Sequence, residues 1–248
     1  MSELQAALDT NQRVEYQCQS NINLYDSATL TGLVTQAVTG RQLTVLPLPP
    51  EYEGKVRGTG IRVRLCEDDY TGWLPVEDLD LIDVAEAPYQ PIVLSESEIQ
   101  ARLPQVIAYA HMAMAQPNHY LWGGTVGPNY DCSGLMQTAF AAAGIWLPRD
   151  SYQQEAFTLT IAMTDLQPGD LIFFGTPERT NHVGLYLGDD CYIHSSGRDK
   201  GRNGIGIDRL TETEDEISCA YYRLLKGAGR VVTSYQPTGS SLSETGLT

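Results

Sequence analysis

The sequence predicts an α+β domain preceded by a small all-β barrel. Short alternating segments separated by turn residues fill residues 14–82, a pattern typical of an all-β unit. Prolines then punctuate residues 85–93. Beyond them, helical periodicity is followed by a run of strand-like segments, and this order is typical of an α+β domain.

Five short strands are expected in the first part of the chain. They are predicted at 14–18, 22–25, 43–46, 61–66 and 71–75. In segment 61–66, apolar and charged side chains alternate strictly, as they do in a half-buried strand. The acidic residues Glu67, Asp68 and Asp69 follow it and are interpreted as a solvated β-turn.

Two helices are predicted to open the second part. Ser95 and Glu98 have the spacing of a capping box, which starts a helix. Pro104 is expected to break this helix, leaving a longer one over 105–116. A further helix is predicted over 132–143, where apolar residues share one face.

The remaining elements are strands, and the whole chain divides into five segments. The strands are predicted at 171–174, 183–187, 191–194, 205–208 and 220–224. The segments are an N-terminal arm (1–13), the barrel (14–86), a linker (87–94), the α+β domain (95–230) and a disordered tail (231–248), which is rich in Ser, Thr and Gly.

Charge and cysteine content narrow the functional classes. The net charge of −15 disfavours nucleic acid and anionic membranes as partners. No segment approaches the ~18 apolar residues of a membrane span, and the first residues lack the pattern of a secretory signal. The five cysteines are an odd number without close pairing, which argues against a disulfide framework. A reducing, cytoplasmic location is therefore expected. The protein is also expected to be a monomer.

One cysteine has the context of a nucleophile. Cys132 stands in a polar run, 131–134, that opens an alanine-rich helix. A helix N-terminus favours thiolate over thiol and so is expected to lower the pKa of this side chain. A nucleophile also needs a base with an orienting group. His182 and His194 end two predicted strands, and a turn at 188–190 would bring them side by side. These residues alone leave open whether Cys132 is catalytic or a small buried side chain.

Residues 95–230 resemble the NlpC-type family of bacterial cell-wall cysteine peptidases, which have a papain-like fold. Six motifs in the family's order carry the resemblance. They are Tyr120-Leu121-Trp122-Gly123-Gly124, Asp131-Cys132-Ser133-Gly134, Leu147-Pro148-Arg149-Asp150-Ser151, Pro168-Gly169-Asp170-Leu171, Asn181-His182-Val183-Gly184 and Ile193-His194. Residues 14–82 are similar to the bacterial SH3-like barrel that often accompanies this domain.

The resemblance implies roles for four residues. Cys132 would be the nucleophile, His182 the base and His194 the third polar group. Tyr120 would donate a hydrogen bond near the oxyanion, where charge builds up in acyl transfer. The implied reaction is hydrolysis of murein peptides between γ-D-glutamate and a diamino acid such as meso-diaminopimelate, with no cofactor.

A substrate of the type L-Ala-γ-D-Glu-diaminopimelate carries carboxylates and one free amine. Arg149 and Ser151 are candidate contacts for this substrate, and Arg149 would meet a carboxylate. Tyr70 and Asp131 are candidates to receive the terminal ammonium of L-alanine by charge-assisted hydrogen bonding. The expected role is recycling of short wall peptides inside the cell.

Three other interpretations remain open. The same trio could serve an amidase or acyltransferase of the papain-like superfamily. The barrel of a wall-binding protein could do the work beside an inactive catalytic domain. Cys132, His182 and His194 could instead bind zinc, although the chain lacks the C-x-x-C and H-E-x-x-H spacings typical of such sites.

Overall fold

The computed structural model describes residues 14–48, 60–212 and 215–239. These residues form two compact units. The first comprises the described residues up to Pro91 together with 237–239, and the second is Ile92–Gln236. The predicted arm at 1–13 lies outside the described residues, as does the tail beyond 239.

The first unit is one antiparallel sheet of seven strands. The strands are β1 (Glu15–Cys18), β2 (Ile22–Tyr25), β3 (Leu33–Ala37), β4 (Gln42–Val45), β5 (Gly60–Leu65), β6 (Thr71–Pro75) and β7 (Ile82–Val84). Their spatial order is β3-β2-β6-β5-β4-β1-β7. The five predicted strands are confirmed, and β3 and β7 were not predicted. Among the residues described, β3 and β7 remain edges, so the pairings do not close the sheet into a barrel.

The acidic turn after β5 is buried, and its interpretation as solvated is wrong. Glu67, Asp68 and Asp69 are only 3%, 0% and 1% exposed. Arg41 places Nε 3.0 Å from Glu67 Oε2 and Nη2 3.0 Å from Asp68 Oδ1, and Arg64 Nε lies 3.6 Å from Asp69 Oδ1. A buried carboxylate is tolerated when it is paired, and Arg41, which pairs with Glu67 from 26 positions away, lies too far along the chain for a local pattern to reveal the pairing.

In the second unit three helices come first, five strands follow, and a fourth helix precedes the last strand. The helices are α1 (Glu96–Met114), α2 (Cys132–Ala142), α3 (Ser151–Phe157) and α4 (Glu216–Tyr222). The strands are β8 (Leu159–Ile161), β9 (Leu171–Gly175), β10 (Thr180–Gly188), β11 (Cys191–Ser196), β12 (Gly204–Arg209) and β13 (Leu225–Arg230). They form an antiparallel sheet in the order β12-β11-β10-β9-β13-β8. No helix among the described ranges is long and apolar enough to cross a membrane.

Helix α1 starts at the predicted capping box but does not break at its proline. The Ser95 side chain accepts from the Glu98 amide, and the Ser95 amide donates to the Glu98 carboxylate. Pro104 lies inside a continuous helix, so the predicted break is wrong. Proline in a helix interior costs about 3 kcal/mol. Burial on both sides of it, by Ile99 before and Val106 after, returns about 1.5–3 kcal/mol per large apolar side chain.

The segment predicted as a strand at 220–224 is instead the end of α4 and the turn that follows it. The Asp215 carboxylate accepts from the amides of Ile217 and Ser218, which starts a helix there. The strand follows as β13, at Leu225–Arg230. The apolar run is compatible with either a strand or a helix. The Asp215 cap decides for the helix.

The chain after β13 is ordered as far as it is described. Val231 and Tyr235 are buried, and the Ser234 hydroxyl accepts from the Trp146 amide at 3.0 Å. The prediction of disorder is therefore wrong for residues 231–239. The polar composition concealed two apolar side chains that are buried in the fold.

The sheet of the second unit has two different faces. Val183, Leu185 and Ile193 join the core that contains α1 and α2. Tyr186 and Tyr192, which alternate with them, belong to a second cluster. Because side chains alternate along a strand, the even-numbered residues from His182 to Tyr186 in β10 and from Tyr192 to His194 in β11 share the face opposite α1 and α2.

Candidate active site

Strand register brings three polar side chains onto this second face. In the β11–β12 pair, His194 lies opposite Gly206 and Tyr192 lies opposite Asp208. In the β10–β11 pair, Tyr186 lies opposite Tyr192. With a period of two residues, His182 on β10, His194 on β11 and Asp208 on β12 therefore project from the same face.

The three side chains form a continuous hydrogen-bonded chain. Nε2 of His182 lies 2.6 Å from Nδ1 of His194. Nε2 of His194 lies 2.6 Å from Oδ2 of Asp208. The Arg202 guanidinium pairs with the other oxygen, Oδ1, of Asp208. The two histidines are in direct contact, as the hairpin predicts, whereas Asp208 and Arg202 were not predicted.

Cys132 is the first residue of α2, and it meets the strand that carries His182. The Asp131 carboxylate caps α2 by accepting from the Gly134 amide at 2.7 Å. The backbone amides of Ser133 and Val183 hydrogen-bond to the sulfur of Cys132. Because Val183 directly follows His182, these contacts place the thiol beside the start of the His182–Val183 segment.

Burial keeps the thiol and both imidazoles neutral at rest. It raises the pKa of Cys132 to about 12, with the Asp131 charge adding to it and the two amides opposing it only in part. Burial lowers the pKa of His182 well below 6.5, with His194 contributing, and it lowers the pKa of His194 despite Asp208. Burial therefore opposes the lowering of the Cys132 pKa that the helix N-terminus was expected to produce.

Asp131 and Arg149 form a buried pair next to Cys132. Arg149 Nη1 lies 3.1 Å from Asp131 Oδ1, and Nη2 lies 2.5 Å from Oδ2. Asp131 also accepts from the Gly123 amide at 2.8 Å, and Arg149 donates to the Ser133 hydroxyl at 2.9 Å. Arg149 is 1% exposed. These contacts tie the start of α2 to the preceding loop and make Arg149 an internal partner.

The other predicted site residues occupy three different places. Tyr120 is half-buried and its ring lies beside Gly197. Burial raises the pKa of Tyr120, with a smaller electrostatic contribution from Cys132, so a protonated hydroxyl lies within electrostatic reach of Cys132. Ser151 is the buried first residue of α3. Tyr70 belongs to the first unit and is half-buried there. Their roles towards a substrate stay predictions.

Tyr221 was missed because its segment was taken for a strand. Its ring stacks on His182, with centroids 4.4 Å apart and planes at 28°, and it meets His194 edge-on at 4.9 Å. Its hydroxyl lies 2.6 Å from the Ser196 hydroxyl. Tyr221 therefore shields both imidazoles. The sequence contains a signal for Asp208 only when β12 is aligned with β11, because alternation along the strand then places Asp208 on the same face as the two histidines.

Three of the four ring nitrogens of His182 and His194 are already engaged within the protein. Nε2 of His182 and both nitrogens of His194 take part in hydrogen bonds, so the trio with Cys132 does not converge as a set of metal ligands. Nor do the described parts of the chain contain any other group of three or more His, Cys, Asp or Glu residues that could hold a metal ion. The geometry thus disfavours the zinc interpretation.

Comparison with known proteins identifies both units. Residues 117–216 match the NlpC/P60 family, and residues 24–79 match the bacterial dipeptidyl-peptidase SH3 domain. The γ-D-glutamyl-L-lysine dipeptidyl-peptidase of Bacillus subtilis (strain 168) is 41% identical over 109 residues, covering 42% of this chain and 36% of that protein. The probable endopeptidase p60 of Listeria monocytogenes is 37% identical over 112 residues, covering 45% and 21%.

A solved structure of an NlpC/P60 family protein from Bacillus cereus ATCC 10987 is similar to 92% of this chain and 66% of that one, with 22% identity and a TM-score of 0.46. The matches to the two curated relatives span only about a third or less of their lengths, 36% and 21%. The chain contains an NlpC/P60 domain preceded by a bacterial SH3 domain.

Proposed function

We propose that this protein is a cysteine peptidase acting on peptides of the bacterial cell wall. Cys132 is the nucleophile, His182 the base and His194 its orienting group. The proposal rests on the hydrogen-bonded chain that runs from Asp208 through His194 to His182. The Cys132 sulfur lies next to the end of this chain, because it accepts a hydrogen bond from the amide of Val183, the residue after His182. The names of the curated relatives, a dipeptidyl-peptidase and an endopeptidase, support it.

Acylation begins from a neutral pair. As the Cys132 sulfur attacks the scissile carbonyl carbon, Nδ1 of His182 accepts the thiol proton. The carbon–nitrogen bond then breaks, the proton passes from His182 to the leaving amine, and a thioester remains on Cys132. The imidazolium that forms between these steps is stabilised through His194 by the Asp208 carboxylate.

Deacylation reverses the proton movements with water in place of the amine. Nδ1 of His182 accepts a proton from the water that attacks the thioester carbonyl. The carbon–sulfur bond breaks, and the proton returns to the Cys132 sulfur. In both halves the carbonyl oxygen acquires negative charge, and we assign the protonated hydroxyl of Tyr120 to donate to it.

The bond we propose is the one between γ-D-glutamate and a diamino acid, in short peptides with a free N-terminal L-alanine. The name of the Bacillus subtilis relative, which specifies γ-D-glutamyl-L-lysine, supports cleavage after γ-D-glutamate. Tyr70, Asp131 and Ser151 stay predicted substrate contacts. Since Arg149 is 1% exposed and already paired, we assign it to positioning Asp131. Peptide recycling remains the predicted biological role.

The decisive experiment incubates the protein with L-Ala-γ-D-Glu-meso-diaminopimelate and identifies the products by mass. We expect the dipeptide L-Ala-D-Glu and free diaminopimelate, with no products from the Cys132→Ala variant. An intact tripeptide beside a cleaved muramyl amide or lipid ester would indicate an amidase or acyltransferase instead. Binding to wall fragments without any product would indicate a wall-binding protein.

A further inference from the structure

We propose that Asp208 and Arg202 act together as positioning residues that decide which ring nitrogen of His182 is unprotonated and faces Cys132. The kinetic consequence rests on the proposed function. The structural consequence, the protonation pattern of the two imidazoles, can be measured without any turnover.

The pattern starts at the Asp208 carboxylate, which is buried. Its Oδ1 pairs with the Arg202 guanidinium, and its Oδ2 lies 2.6 Å from Nε2 of His194. A carboxylate paired with a guanidinium accepts hydrogen bonds and donates none. The proton in the contact with His194 therefore resides on the imidazole, at Nε2.

The position of the proton on His194 then fixes the direction of the next hydrogen bond, between His194 and His182. His194 is kept neutral by burial, so with its proton on Nε2 its Nδ1 is an acceptor. The partner at 2.6 Å, Nε2 of His182, must donate to it. His182 is also neutral, and its Nδ1 is left with a free electron pair. This nitrogen is the one remaining to accept the proton of Cys132.

Arg202 reaches Asp208 through a gap that the sequence provides. Gly206 lies opposite His194 in the β11–β12 register, and a Cβ at Gly206 would overlap the Arg202 guanidinium. The missing side chain lets the guanidinium cross β12 and meet the Asp208 oxygen that does not face His194. Arg202 is therefore fitted to the site and is not a freely solvated residue of its loop.

The Arg202 guanidinium makes the two polar atoms at the end of side chain 208 inequivalent, because one faces Arg202 and the other faces His194. In Asp208→Asn, the amide must present its oxygen to Arg202, because two donors facing each other are unfavourable. Its NH₂ group then faces His194 and donates to Nε2. The proton of His194 moves to Nδ1, Nε2 of His182 becomes an acceptor, and the proton of His182 moves to the nitrogen facing Cys132. The base is lost although every side chain keeps its place.

The proposal predicts a rescue that ordinary structural damage would not show. Asp208→Asn should lower kcat by about 10³- to 10⁴-fold, the size expected when an orienting carboxylate is replaced so that the imidazole takes the wrong tautomer. Adding Arg202→Met frees the amide to turn its oxygen towards His194. The double variant should then regain at least tenfold in kcat over Asp208→Asn, although Arg202→Met alone lowers activity.

The test combines kinetics with nitrogen NMR of the histidine rings, the latter recorded in the Cys132→Ala background. Wild-type tautomers should show His182 protonated at Nε2 and His194 at Nε2, Asp208→Asn should invert both, and Asp208→Asn/Arg202→Met should restore them. A proton on Nδ1 of His182 without any substitution at 208 would overturn the proposal, whether or not the other variants fold. So would a double variant that folds but is no better than Asp208→Asn. Correct tautomers in a protein that cleaves no peptide would refute the proposed function and leave this assignment standing.

Discussion

Replacing Arg149 by methionine separates two roles for this residue. Methionine keeps most of the apolar stem and removes the guanidinium that pairs with Asp131 at 2.5 Å and 3.1 Å. If Arg149 positions the start of α2, the substitution leaves the Asp131 carboxylate buried without its counter-ion. If Arg149 instead binds a substrate carboxylate, as the sequence predicted, the loss of its guanidinium should hardly change the stability of the folded protein.

The magnitude follows from the burial of the pair. Removing one partner of a buried ion pair costs about 3–5 kcal/mol. Asp131 keeps the amides of Gly123 and Gly134, so the lower end, ~3 kcal/mol, is the better estimate. For a domain of this size, 1 kcal/mol shifts Tm by roughly 2–4 °C. Arg149→Met should therefore lower the Tm of the second unit by roughly 6–12 °C.

The assay is thermal unfolding followed by circular dichroism, with kcat and KM measured well below Tm. We expect a lower Tm and a lower kcat with little change in KM. Arg223→Met is the matched control, because Arg223 is exposed and a surface substitution stays within about ±0.5 kcal/mol. An unchanged Tm together with a raised KM would refute the positioning role and return Arg149 to the substrate.

Three further predictions concern the nucleophile, its base and the ring that covers them. Labelling of Cys132 by iodoacetamide at pH 7 should slow in His182→Ala, whereas labelling of the half-exposed Cys191 should not change; equal effects at both would remove His182 as the base. The acid limb of kcat/KM should have an apparent pKa below 6.5, since burial lowers the pKa of His182 and only its neutral form accepts a proton. In this pH range the unfolded chain binds a proton at His182 that the folded chain does not bind. The free energy of unfolding should therefore also fall as the pH drops below about 6.5. An acid limb at or above about 6.5 would contradict both expectations. Tyr221→Leu should lower kcat roughly two- to tenfold, the worth of about 0.5–1.5 kcal/mol for a ring contact, and move the acid limb to higher pH by admitting water to His182, whereas Tyr221→Phe should leave the limb in place.

Local patterns predicted the elements that local interactions decide. Alternation gave most strands, and the spacing of Ser95 and Glu98 gave the start of α1. The turn between β10 and β11, with positive φ at Gly188, Asp189 and Asp190, is the hairpin that sets the two histidines side by side. These features depend on residues a few positions apart, so the sequence displays them directly.

What could not be predicted depends on contacts between distant positions. The pairing of Arg149 with Asp131 spans 18 positions, and that of Arg41 with Glu67 spans 26. Both arginines, taken by themselves, suggest surface residues. Asp208 became visible only when the register of β12 against β11 was known, since a shift by one residue would turn it to the other face.

The burial of Cys132 and His182 also determines which groups must stabilise charge in the proposed mechanism. Burial opposes charge on Cys132 and on His182 alike, so the proposed mechanism starts from a neutral thiol and a neutral imidazole. The charges appear only when the proton moves during attack, and they must then be stabilised by groups already in place. On the side of the imidazolium that group is Asp208, acting through His194; on the side of the sulfur it is the pair of amides that hydrogen-bond to it. Fixed dipoles and charges of this kind cost no reorganisation at the moment of reaction. The rate should consequently depend more on Asp208, at the far end of the hydrogen-bonded chain, than on the N-terminus of α2, where Cys132 lies.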